Sequence, residues 1–144
     1  MSECPFCKIL AGELPCSEVY RDERCAVIMD IQPINPGHML VMPIEHITHL
    51  TELEPDLSVH LFLTARKMAA GLMDSGIEAE GFNLFLADGK AARQDVPHAH
   101  IHVIPRFEGD GFSFEFSPRY FELPTRDELD KNAYFLRQAL DQSE

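Results

Sequence analysis

The chain predicts an α+β fold: a mostly antiparallel five-stranded sheet with one long helix and a C-terminal helix. Three observations carry this. Short apolar or alternating runs, each closed by breakers, follow one another as strands do. A single long stretch repeats its apolar residues at helical spacing, and a second helical repeat with a capping signature comes only after the strands end.

Residues 17–22 and 25–30 are two strand-like runs split by Glu23-Arg24, which reads as a hairpin whose turn lacks glycine. The stretch Ile31-Gln32-Pro33-Ile34-Asn35-Pro36-Gly37 is a breaker-rich loop, and residues 38–43 form a third strand closed by Pro43. The long helix runs from Pro55 to about Met73. Its face is Leu57, Leu61, Ala65, Met68 and Leu72, with Ser75-Gly76 as the stop. Residues 82–87 make a fourth strand, and a polar loop over 88–96 leads into a fifth. The last helix starts at Thr125, with Glu128 three residues on as a capping box, and carries Leu129, Phe135, Leu136 and Leu140.

A chain of 144 residues is expected to be one domain, 1–144, with a motif-bearing core at about 4–110 and an extension over 111–144. Its formal net charge of −12 excludes DNA and RNA as partners, because affinity for a polyanion comes mostly from basic side chains releasing counterions. A single phosphate needs only a local donor cluster, so small anionic ligands stay open. No apolar run is long enough to span a bilayer, and the first eight residues have neither a basic start nor an apolar core, so a cytoplasmic protein without a membrane partner is expected. In a reducing compartment Cys4, Cys7, Cys16 and Cys25 are thiols or metal ligands rather than disulfides.

The fifth strand is the most informative segment. In Pro97-His98-Ala99-His100-Ile101-His102-Val103-Ile104-Pro105, three of the seven histidines alternate with apolar residues, so one face is imidazole and the other is core. The two prolines bracket the expected strand. Neighbouring histidines of such a row stand about 6.6 Å apart and the outer two about 13 Å apart, so one metal ion cannot hold all three. Neutral imidazole is a competent nucleophile and base near pH 7. Cys4-x-x-Cys7 alone reads as a metal motif, a redox motif or two unrelated thiols.

The pattern His98 to Ile104 resembles the signature of the histidine-triad superfamily of nucleotide hydrolases and transferases, in its bacterial zinc-containing type. Cys4-Pro5-Phe6-Cys7-Lys8-Ile9, Asp30-Ile31, Gly37-His38, Pro43-Ile44-Glu45-His46-Ile47 and Gly81-Phe82-Asn83-Leu84 extend the resemblance in register from about Cys4 to Asp110. The resemblance implies that His100 attacks the α-phosphorus of a nucleotide, forming a nucleotidyl-histidine intermediate, and that His102 bonds the phosphate. It implies a structural zinc on Cys4, Cys7, His46 and His98, with His49 as an alternative ligand. Phe6, Ile9, Ile28 and Ile31 then match the apolar cleft around the base, and Asp30 the acid on the ribose. Gln94 and Arg93 fall in the phosphate loop. A homodimer joined through edge strands and the long helix is also implied.

Three positions depart from the family pattern. Relatives commonly carry asparagine or glutamine at the position of Ala87, glycine at that of Arg93, and serine or threonine at that of Asp95. Lys90 and Arg106 read as surface charges. The expected function is cleavage at the α-phosphorus of a purine nucleotide conjugate, either a phosphoramidate or a dinucleoside polyphosphate. The alternatives are a nucleotide-binding adaptor with vestigial catalysis, and a metalloenzyme built on the histidine row. The leaving group is not legible.

Overall fold

Residues 25–28 and Met39–Pro43 are buried at every position, which requires cover on both faces of the sheet. In the computed structural model, which describes residues 3–142, that cover is two helices. Met1, Ser2, Ser143 and Glu144, which complete the expected domain, lie outside the described residues. The elements in order are α1 (Pro5–Leu10), β1 (Glu18–Arg21), β2 (Cys25–Met29), β3 (Met39–Pro43), α2 (Pro55–Asp74), β4 (Gly81–Phe85), β5 (Ile101–Arg106) and α3 (Arg126–Gln142). The sheet order is β1-β2-β3-β5-β4, and every neighbouring pair is antiparallel, so the expected α+β architecture is the one adopted.

Alternation along β2 and β3 sorts the core. Cys25, Val27, Met39 and Val41 meet Leu61, Ala65, Met68 and Leu72 of α2. Ala26, Ile28, Leu40 and Met42 turn the other way and meet Cys4 and Phe6 of the N-terminal segment. The hairpin turn that lacks glycine is built by Asp22 instead, whose Oδ1 accepts from the main-chain N–H of Arg24 and of Cys25, both at 2.8 Å.

The structure departs from the expected elements in two places. Helix α1 was read only as a motif, yet Pro5 sits in its first turn and the Cys4 sulfur caps it, accepting from the Cys7 N–H at 3.5 Å. Strand β5 starts at Ile101 and contains Pro105, so His98 and His100 precede the strand and Pro105 does not end it. Pro105 is tolerated there because β3 pairs only as far as Val103. Its missing N–H falls on the side where the neighbour has ended, and its carbonyl on that side accepts from Asn35 Nδ2 at 2.8 Å.

The chain divides into two units, one ending at Gly111 and one starting at Phe112. In the second, Thr125 and Glu128 form the expected capping box at 2.7 and 3.1 Å, opening α3. Phe116 stacks on Tyr120 with ring centroids 3.9 Å apart.

Candidate active site and metal centre

His100 lies just before β5 and is only 7 % exposed. Its Nδ1 is 2.7 Å from the carbonyl oxygen of His98. A carbonyl only accepts, so Nδ1 carries the proton and Nε2 keeps a free lone pair. Burial holds the ring below the ordinary histidine range, against the bond to His98 and the pull of Asp30 and Asp95, so the ring is neutral near pH 7. The Phe6 ring stands edge-on to His100 at 5.0 Å and to His98 at 5.8 Å, forming a wall.

His102 is oriented by a residue that was not among the sequence candidates. The main-chain N–H of Ile34 donates to Nδ1 of His38 at 3.0 Å, so the proton of that neutral ring sits on Nε2. His38 Nε2 is 2.9 Å from His102 Nδ1 and 3.5 Å from Asp30 Oδ2. His102 therefore accepts at Nδ1 and carries its own proton on Nε2, as a neutral donor. Burial, followed by the neighbouring His100 and His38, lowers its pKa to about 4. Burial also lowers that of His38, against Asp30. Period-two alternation was the available signal, since it places His38 on the same face as Leu40, and Leu40 is the register partner of His102.

The nucleoside candidates divide by exposure. Phe6 and Ile28 are buried and Ile9 packs against the same cluster, whereas Ile31 is 96 % exposed. An isoleucine so exposed is not core. Asp30 uses Oδ1 to accept from the Gln32 N–H at 2.8 Å, capping the loop, and turns Oδ2 toward His38.

In the loop before β5, Gln94 is bonded at both ends of its amide. Its Oε1 accepts from the Gly89 N–H at 2.9 Å and its Nε2 donates to the Thr48 carbonyl at 2.8 Å. The amide thus ties the loop to Thr48, using its oxygen and one of its two Nε2–H donors. Arg93 is exposed and sits at φ 65°, the single described non-glycine residue in the left-handed region. That conformation explains why glycine suits this position. Ala87 is buried and offers no amide. Arg106 is not a loose surface charge, because it forks onto Asp110 at 2.6 and 3.1 Å and reaches Asn83 at 2.7 Å.

The second cluster lies on the other side of His98. Cys7 Sγ is 3.2 Å from His46 Nδ1, and His98 Nδ1 is 3.5 Å from Cys4 Sγ and 3.7 Å from Cys7 Sγ. His98 Nε2 donates to the Pro43 carbonyl at 2.8 Å, which leaves Nδ1 as the lone-pair nitrogen facing the sulfurs. All four donor atoms lie within 4.8 Å of one another, and this two-sulfur, two-imidazole set is compatible with zinc. His49, the alternative ligand, bonds Asp88 Oδ1 at 2.8 Å instead, and that bond raises its pKa.

The family model described as the HIT domain matches residues 11–109. The chain belongs to the HIT family. Among its relatives, an adenylylsulfatase of Arabidopsis thaliana is 37 % identical over 76 % of this chain and 55 % of that protein. An adenosine 5′-monophosphoramidase of Schizosaccharomyces pombe is 32 % identical over 72 % of this chain and 74 % of that protein. The crystal structure of a zinc-bound histidine triad family protein from Mycobacterium smegmatis is 36 % identical, covers 99 % of both chains and superposes with a TM-score of 0.74. No helix among the described residues is long and apolar enough to cross a membrane.

Proposed function

We propose that this HIT protein hydrolyses purine nucleotide conjugates at the α-phosphorus, with His100 as nucleophile. The observation that carries the reading is the His100 Nδ1 bond to the His98 carbonyl, which leaves a neutral ring with Nε2 free to attack. Attack forms an Nε2–P bond and breaks the bond from phosphorus to the leaving group, which departs with a proton taken from the medium or from a neighbouring group. Water then adds to phosphorus, the N–P bond breaks, and a nucleoside monophosphate leaves. His102, fixed as an Nε2–H donor by His38, steadies the phosphate oxygens through both steps. Phe6, Ile9, Ile28 and the exposed Ile31 hold the base, and Asp30 Oδ2 the ribose. Arg93, exposed, offers a guanidinium to a leaving group that carries negative charge. The named relatives act on an adenylyl sulfate and an adenosine phosphoramidate, which supports an adenylyl substrate.

Cys4, Cys7, His46 and His98 would hold zinc as a closed structural site, and the metal would supply a cross-link between α1 and the segment leading to His100. A homodimer through β4 and α2 is supported by half-exposed Phe82 and Phe85 on that edge strand and by Val59, Phe62 and Leu63 on the helix. The adaptor reading draws on Ala87, which has no side-chain amide, and on Gln94, whose amide is tied to Gly89 and Thr48 and so is held in place rather than turned freely to a phosphate.

The test is to incubate the protein with adenosine phosphoramidate, adenylyl sulfate and diadenosine tetraphosphate, and to trap and weigh the adduct. An adenylylated peptide containing His100, absent in His100→Asn, is the expected result. Nucleotide binding with no product from any substrate would establish the adaptor reading instead.

A further inference from the structure

On the α2 face of the sheet, away from both clusters above, three side chains from three elements converge. Asp22 comes from the β1–β2 turn, Cys25 from the first position of β2 and His60 from α2. Asp22 Oδ2 lies 2.7 Å from His60 Nε2 and 3.7 Å from Cys25 Sγ, and the three donor atoms all fall within 4.8 Å of one another.

The carboxylate is held in place as a metal ligand's usually is. Its Oδ1 is pinned by the two main-chain N–H groups of the turn, and the Tyr20 hydroxyl donates to Oδ2 at 2.9 Å. Burial works against its charge, but those bonds and the one to His60 hold it well below the usual carboxylate range. Cys25 is fully buried, and burial pushes its thiol up.

Two adjoining cavities reach the Asp22 and His60 side of the cluster and give it charge, with Cys25 buried behind them. One of about 370 Å³ is lined by Asp22, Glu23, Arg24 and His60. The next, of about 430 Å³, shares Glu23 and Arg24 and adds Glu45, Glu54 and Asp56, so four carboxylates line it against one guanidinium. A negatively lined entrance concentrates cations.

We propose that Asp22, Cys25 and His60 form a second metal site, taking Zn²⁺ or a cation of similar softness, with solvent from the adjoining cavity as the remaining ligand. A sulfur, a nitrogen and an oxygen together select a borderline cation over Mg²⁺ or Ca²⁺, which prefer oxygen alone. On binding, the Cys25 thiol releases its proton to solvent, and the His60 proton moves from Nε2 to Nδ1. The dication then faces one thiolate and one carboxylate, and the site ends neutral. This site is independent of the nucleotide reading.

The full chain, stripped with a chelator, is saturated with ZnCl₂, desalted and assayed for zinc per chain. A parallel titration with CoCl₂ follows thiolate-to-cobalt absorption. Wild type is expected to hold two equivalents, and His60→Gln and Cys25→Ala each one, with circular dichroism unchanged. Tyr20→Phe, which removes only the supporting hydroxyl, is expected to weaken one of the two binding events by about tenfold. Cys7→Ser tells the sites apart: it is expected to remove the other equivalent and to keep the one that His60→Gln and Cys25→Ala lose. If His60→Gln and Cys25→Ala bind as much zinc as wild type with the same cobalt spectrum, the cluster is only a hairpin-to-helix lock and the proposal is overturned.

Discussion

His102 makes the stability of the fold depend on acid in a calculable way. Its ring titrates at about 4 in the folded protein, against 6.5 for an unperturbed histidine. Above pH 6.5 the ring is neutral whether the chain is folded or not, so this stability is fully present. As pH falls from 6.5 toward 4, the unfolded chain takes the proton and the folded one does not, so stability is lost across that window and no further below it. By linkage the loss is about 2 kcal/mol at pH 5 and about 3 kcal/mol below pH 4. The assay is urea unfolding of wild type and His102→Gln at pH 7.5 and pH 5.0, at equal protein concentration. Glutamine can still accept from His38, so the variant keeps the local bond without the titrating ring. Wild type should lose about 2 kcal/mol more than the variant on acidification. An equal loss in both proteins would refute the reasoning, because the acid sensitivity would then belong to other groups.

Four further outcomes are expected. His100→Asn should reduce turnover by more than about a thousandfold while nucleoside monophosphate affinity, read by calorimetry, changes little; retained turnover would remove His100 from the mechanism. Arg93→Gly should relieve the left-handed backbone and raise stability by about 1 kcal/mol in thermal melts, while weakening conjugates with anionic leaving groups relative to neutral ones. Gly37→Ala should destabilise by about 1–3 kcal/mol, because Gly37 sits at φ 99° and a Cβ there would lie 2.9 Å from Ile77. Cys7→Ser should lower both zinc content and melting temperature, and an unchanged melting temperature after metal loss would show that the fold does not use the ion.

The strands and long helix were legible because their apolar residues repeat at spacings that only one backbone geometry satisfies. Leu61, Ala65, Met68 and Leu72 are buried as their period requires. The histidine row was legible as a cluster but not as a strand, since His98 and His100 sit ahead of β5 and turn their rings to different partners, the Pro43 and His98 carbonyls. Helix α1 was missed because six residues cannot show a helical period. His38 was missed because its importance comes from a neighbour 64 positions away. Gln94 shows the opposite limit. Its residue type suits a phosphate loop, but its amide is held by Gly89 and Thr48, contacts that no local pattern announces.

Helix α1 has a practical consequence. Six residues are too few to hold a helix in water, so its order comes from docking Phe6 against His98 and His100 and Cys4 into the core. An affinity tag fused ahead of Met1 therefore begins within six residues of the Phe6 ring that stands edge-on to His100. Protein for kinetic work is better tagged at the carboxyl end, and a rate measured on an amino-tagged preparation reports the tag as well as the enzyme.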